Sequence, residues 1–145
     1  MKLKQLTDAY LLRLERGEEV ISSLEAFAND NSIDGAFFHG LGGADQATLG
    51  IFRIDTDKQY HFTDYEGEME IVSLNGNISR DSDGEVMVHC HSVISGLDLK
   101  ASGGHVKSMR VAGTCEIFID TRVDALTRTH DDDIGLKLLD FTQNE

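Results

Sequence analysis

The stretch AYLLRLERGEEVISSLEAFANDNS, residues 9–32, changes its hydrophobic period once, and that change decides the fold. Tyr10, Leu12 and Leu14 share one face of an alternating run, the mark of a half-buried strand. Arg16 and Gly17 break the alternation. From Glu18 the period is helical: Val20, Ile21, Leu24, Phe27 and Ala28 fall on one apolar stripe. Glu18 and Glu19 are expected in the first turn, where the helix dipole favours negative charge. Asn29, Asp30, Asn31 and Ser32 are turn formers that end the helix.

Outward from this point the chain reads as strand after strand. The expected runs are 33–38, 47–54, 60–65, 69–79, 86–94 and 110–120. His39 to Gly43 reads as a flexible glycine-rich loop, and Asp81 to Gly84 as a tight hairpin turn. Serial strands with short turns predict an antiparallel β-sheet, packed with one main helix: an α+β fold rather than a doubly wound one. The last 25 or so residues are less regular. Asp131, Asp132 and Asp133 form a charge run, and Leu136, Leu138 and Leu139 would dock as a final short segment. With no repeat or composition shift, residues 1–145 are expected to form one domain, with a core over about 8–121 and a C-terminal extension over 122–145.

Composition narrows the function classes. The 145 residues carry 13 Lys+Arg against 26 Asp+Glu, a net charge of −13. Phosphates repel such a chain, which argues against unaided binding to nucleic acid or anionic membrane. A hydrophobic content of 40% separates it from disordered acidic tails. No proline is present, which excludes proline-rich linkers and PxxP ligands. No stretch approaches the ~20 apolar residues of a membrane span, and the N-terminus lacks a signal-peptide apolar region. Two cysteines, Cys90 and Cys115, are too few for a disulfide scaffold, so a cytoplasmic protein with reduced thiols is the simplest expectation.

Chemistry concentrates at His89, Cys90 and His91, followed by Gly103, Gly104 and His105. Strand alternation points His89 and His91 the same way. It sends Cys90 to the opposite face with Val86, Val88 and Ile94, as a core thiol. Imidazoles two residues apart on a strand can converge on one ion. Glycine opens backbone conformations closed to other residues, so a turn at Gly103 and Gly104 would swing His105 back to the pair. Three histidines with an open fourth position suit zinc or another divalent metal holding water or a ligand. The alternative is three polar residues on a half-exposed sheet. His39, beside the glycine-rich loop, either lines the same pocket or is solvated. His130 beside its aspartates reads as a solvated segment. Gly40 to Gly43 does not make a dinucleotide loop, because the sixth position is Asp45 and a strand, not a helix, follows. Glu70 has the parity of Val72, Leu74 and Ile78, and a carboxylate on an apolar face needs a partner. It is the catalytic candidate, as general base on a metal-bound water or acceptor for a ligand histidine. Otherwise it pairs with Arg13 or Arg110, or lies exposed at a strand end.

These residues carry a resemblance. The segments Leu12 to Val20, Gly40 to Ala44, Ala47 to Gly50 and Glu70 to Ser79, then His89 to His91 and Gly103 to His105, resemble the PPC domain shared by plants and prokaryotes, over about residues 8–121. The resemblance implies a compact α+β domain assembling as a homotrimer. It implies a metal site of His89, His91 and His105, most simply zinc. Gly42, Gly103, Gly104, His39 and Arg13 are this sequence's candidate pocket residues for a small-molecule ligand. Plant relatives carry a Gly-Arg-Phe-Glu-Ile-Leu partner-contact segment. Gly67, Glu70 and Ile71 match it, whereas Glu68 and Met69 replace its Arg and Phe. Plant relatives also carry an AT-hook, which needs proline and is therefore missing from this sequence. Prokaryotic members are often labelled DNA-binding, which the charge opposes. Three functions follow as expectations: a trimeric metal protein that binds a small ligand or performs metal-assisted chemistry, a DNA-binding or transcription-associated protein, and a protein-interaction module with a structural metal.

Overall fold

The change of period at residues 16–19 is a strand-to-helix junction. The computed structural model describes residues 1–142. In it, strands β1 (Lys2–Gln5) and β2 (Ala9–Glu15) precede the helix α1 (Val20–Asp30). The helix begins later than its apolar stripe suggests, because Glu19 is its cap. The Glu19 carboxylate accepts from the backbone N–H of Ile21 at 3.1 Å and Ser22 at 2.7 Å. It also accepts from the Met109 N–H at 2.9 Å, tying the helix to a distant strand. Glu18 and Glu19 therefore stand before the first turn, not in it. Val20, Leu24, Phe27 and Ala28 are buried, as the stripe requires.

Four long strands follow: β3 (Ala36–Phe52), β4 (Tyr60–Asp81), β5 (Val86–Ser95) and β6 (Ala101–Asp120). They pair in a ring, β3 with β4, β4 with β5, β5 with β6 and β6 with β3, all antiparallel. β2 adds to β6 and β1 to β2. The helix packs on β5 and β6. The expected loop at residues 39–43 is a correction: His39 to Gly43 lie inside β3. The glycines serve close packing, not flexibility. A Cβ on Gly42 would lie 2.3 Å from the Thr114 carbonyl oxygen of β6. Register shifts at Gly40/Gly42 and Ala44/Gln46 bend the strand so that the ring closes. Likewise 60–65 and 69–79 are one strand, β4.

The C-terminal extension is a hairpin of β7 (Thr127–Asp131) and β8 (Leu136–Leu139). It overturns the expectation of a wholly antiparallel sheet, because β7 runs parallel to β4, pairing Arg80 with Thr127 and Asp81 with Arg128. The cause lies in the return from β6. Leu126 donates its N–H to the Asp34 carbonyl and accepts from the Arg80 N–H, which aligns the chain with the end of β4. The sheet is therefore mixed.

Candidate metal centre

His89 and His91 lie on β5 and point to the same side, whereas Cys90 between them is fully buried in the core. His105 arrives on β6 as the direct ladder partner of His91. This corrects the expected turn at Gly103 and Gly104, since both glycines are inside β6, paired with Val93 and Ser92. Pairing of two strands, not a swung loop, assembles the triad. The three ring centroids lie 5.0 to 5.5 Å apart. One ring nitrogen from each residue lies within 4.8 Å of the others. Nε2 of His89 and Nε2 of His91 are 3.2 Å apart. Two ligands of a tetrahedral zinc, each at ~2.0–2.1 Å, stand about 3.3 Å apart, so this pair is already at ligand spacing.

The electrostatics suit ligation. Burial first, then the nearby His89 and His91, push His105 down to about 4 from the ordinary 6.5. Burial, then Arg128 and His91, also hold His89 below the usual histidine range. Both rings are neutral near pH 7, the form that donates to a metal. Nδ1 of His105 is buried and has no hydrogen-bond partner among the described residues. A buried polar atom left in this way is costly unless something takes it up. The Tyr60 ring packs against the His105 ring, with centroids 4.6 Å apart.

The other candidates divide between the triad and elsewhere. His39 lines a cavity of about 570 Å³ with Phe37, Phe118, His89 and His91, beside the triad. Gly103 and Gly104 line a smaller cavity of about 190 Å³ with His91. Glu70 is exposed and paired with Ser95, in a separate cavity with Gly43 and Glu68. Its parity argument fails because the register slips between Ile71 and Ser73, so Val72 is 57% exposed whereas Ile71 and Leu74 are buried. Arg13 pairs with Glu15 and Arg110 with Asp45, so neither meets Glu70. Gly42 faces the Thr114–Cys115 backbone. His61 pairs with Asp57 at 2.6 Å and His130 with Asp132 at 3.4 Å, both outside the triad.

Sequence reasoning missed Arg128. It comes from β7 and places Nη2 3.3 Å from His89 Nδ1. A guanidinium only donates, so Nδ1 is the acceptor. No local pattern marks this contact, because residues 39 positions apart meet only through the parallel β4–β7 pairing.

The Plants and Prokaryotes Conserved domain model matches residues 1–123, which take in the whole ring and the triad. The chain belongs to this family, the PPC family. Solved PPC-fold structures resemble it closely. A Bacteroides thetaiotaomicron protein with a provisional DNA-binding label is 28% identical over 97% of this chain and 96% of its own, with a TM-score of 0.91. A PPC protein from Pyrococcus horikoshii is 28% identical over 96% of this chain and 93% of its own, TM-score 0.83. A metal-containing protein from Archaeoglobus fulgidus is 30% identical over 96% of this chain and 99% of its own, TM-score 0.83. No curated protein matches this chain. No helix among the described residues is long and apolar enough to cross a membrane.

Proposed function

We propose that this PPC protein binds one zinc or another divalent cation through His89, His91 and His105, and presents its open coordination position to a small molecule. The observation that carries the reading is the convergence of three ring nitrogens within 4.8 Å, two of them already 3.2 Å apart. The metal-containing Archaeoglobus relative supports it. The bound metal would supply Lewis acidity. The chain supplies neutral imidazoles, the Tyr60 ring and the flanking cavities. A homotrimer in the cytoplasm is the proposed working form. Leu11 on β2 and Phe37 and Leu41 on β3, the two strands that flank β6, are 42%, 48% and 58% exposed and are suited to an interface between copies.

Metal content of untagged protein tests the ligand set. Wild type should bind about one zinc per chain in equilibrium dialysis, and the double variant His89→Ala/His91→Ala none. Equal zinc in both would sink the reading. Light scattering before and after chelation tests the assembly. If the trimer falls apart without metal, the metal is structural and the protein is an interaction module.

The provisional label of the Bacteroides relative favours a second reading, DNA binding. The charge of −13 opposes it. Titration of duplex DNA at low salt decides: affinity that falls steeply with added salt supports phosphate contacts, and no binding ends this reading.

A further inference from the structure

Arg128 is only 7% exposed. Its partners are all neutral: Ser79 Oγ at 3.0 Å, the Lys137 carbonyl at 2.8 Å, Asn77 Oδ1 at 3.0 Å and His89 Nδ1 at 3.3 Å. Among the described residues no carboxylate lies within ion-pair distance of it, in a chain with 26 acidic residues. Asp81, its ladder partner, instead binds Lys137 at 2.6 Å and the backbone N–H groups of Asp83 and Glu85. A guanidinium does not lose its proton to relieve burial, and a buried charge with no counter-charge is costly. Four of its five N–H groups have partners, so among the described residues one on Nη1 has none.

Arg128 lines a cavity of about 340 Å³ between the triad and the C-terminal hairpin. That volume is within the range of small-molecule sites. Tyr60, His89 and His105 form one wall, and Met87, Val88 and Leu136 give it an apolar side. Negative charge is what this cavity lacks. Among the described residues no carboxylate lines it, and a divalent cation on the triad would add to the positive charge of Arg128. A metal on His89 Nε2 would also put the ring proton on Nδ1. Arg128 Nη2 could then no longer donate there, leaving a second N–H to offer. Two N–H groups on adjacent nitrogens match the two oxygens of a carboxylate.

We infer that this cavity binds a small organic carboxylate with an apolar body, its charged end held by Arg128 and facing the histidine triad. Arg128 lies beyond the residues matched by the family model, so the site joins the PPC ring to a segment outside that match. The second N–H, on Nη2, rests on the metal reading proposed above, whereas the pairing with Arg128 through Nη1 does not.

Butyrate and its neutral isostere butyramide are the probes, titrated calorimetrically into zinc-loaded and metal-free full-length protein. Wild type should bind butyrate at least tenfold more tightly than butyramide in both forms, and more tightly with zinc. Arg128→Met should remove the preference in the metal-free form and reduce it at least tenfold in the loaded form. Arg128→Lys, which keeps the charge without the fork, should fall between. Equal affinity for the two probes in wild type, no detectable binding of either, or a preference that survives Arg128→Met would overturn the inference. If Arg128→Met does not fold, the wild-type comparison decides alone. Should dialysis find no zinc while the butyrate preference persists in wild type, the metal reading fails and the carboxylate site stands.

Discussion

His105 should make the metal-free protein sensitive to mild acid, and the sign and size follow from its surroundings. In the unfolded chain its ring titrates near the ordinary 6.5, and in the fold it is pushed down to about 4, chiefly by burial. Between those values the unfolded chain binds the proton and the folded chain does not. Stability is therefore full above about pH 6.5, falls as pH drops toward 4, and loses nothing more from this group below that. At about 1.36 kcal/mol per pH unit, the whole interval is worth at most about 3 kcal/mol. From pH 7 to pH 4.5 the loss is about 2 kcal/mol. Urea unfolding at fixed protein concentration, with chelator present, should show a midpoint about 1–2 M lower at pH 4.5 than at pH 7 from this source. His105→Phe keeps a ring and removes the titration. It also removes the unpartnered Nδ1, so at pH 7 the variant should be at least as stable as wild type. At pH 4.5 it should retain about 2 kcal/mol more of its stability than wild type does. Some acid sensitivity should persist in the variant, because His89 is also held below its usual range. Parallel pH profiles for wild type and His105→Phe would refute the reasoning.

Further outcomes follow from packing, thiol chemistry and capping. Gly76→Ala would place a Cβ 2.1 Å from the His89 carbonyl oxygen and 2.4 Å from the Phe38 ring, so it should destabilise the protein by about 3 kcal/mol in denaturant unfolding. Metal uptake should weaken with it, since His89 is on the displaced strand. Burial pushes the Cys90 and Cys115 thiols up to about 12, so neither should react with a disulfide reagent at pH 8 until the protein unfolds. Fast labelling of the native state would contradict their placement in the core. Glu19→Ala should cost about 1–2 kcal/mol, because it removes the helix cap and leaves the Met109 N–H without its acceptor. Glu19→Gln should restore part of that loss, and thermal melts of the two variants make the comparison.

Local chemistry made several elements of the fold legible. Alternation in β2, the stripe of α1 and the turn at Asp81 to Gly84 each depend on neighbours within a few residues. Residues 39–43 were misread because glycine has two uses that look alike in sequence. In β3 the glycines admit the backbone of β6, and only the position of that strand tells this from a loop. Glu70 was placed by counting parity, and one bulge after Ile71 reverses the count.

The histidine site divides along the same line. Strand alternation by itself puts His89 and His91 on one side and Cys90 on the other, because that geometry is built into every extended chain. The glycine pair before it and the family resemblance both put His105 in the set, but its route was decided by the β5–β6 register, which sets His91 opposite His105. Arg128 and Tyr60 depended wholly on tertiary structure. One reaches His89 because β7 returns parallel to β4, and the other reaches His105 because β4 and β6 both pair with β3. Alternation and helical period act over neighbouring residues and can be read from order alone. Strand pairing joins distant residues through backbone hydrogen bonds that carry no side-chain signature, so only the folded chain reveals it.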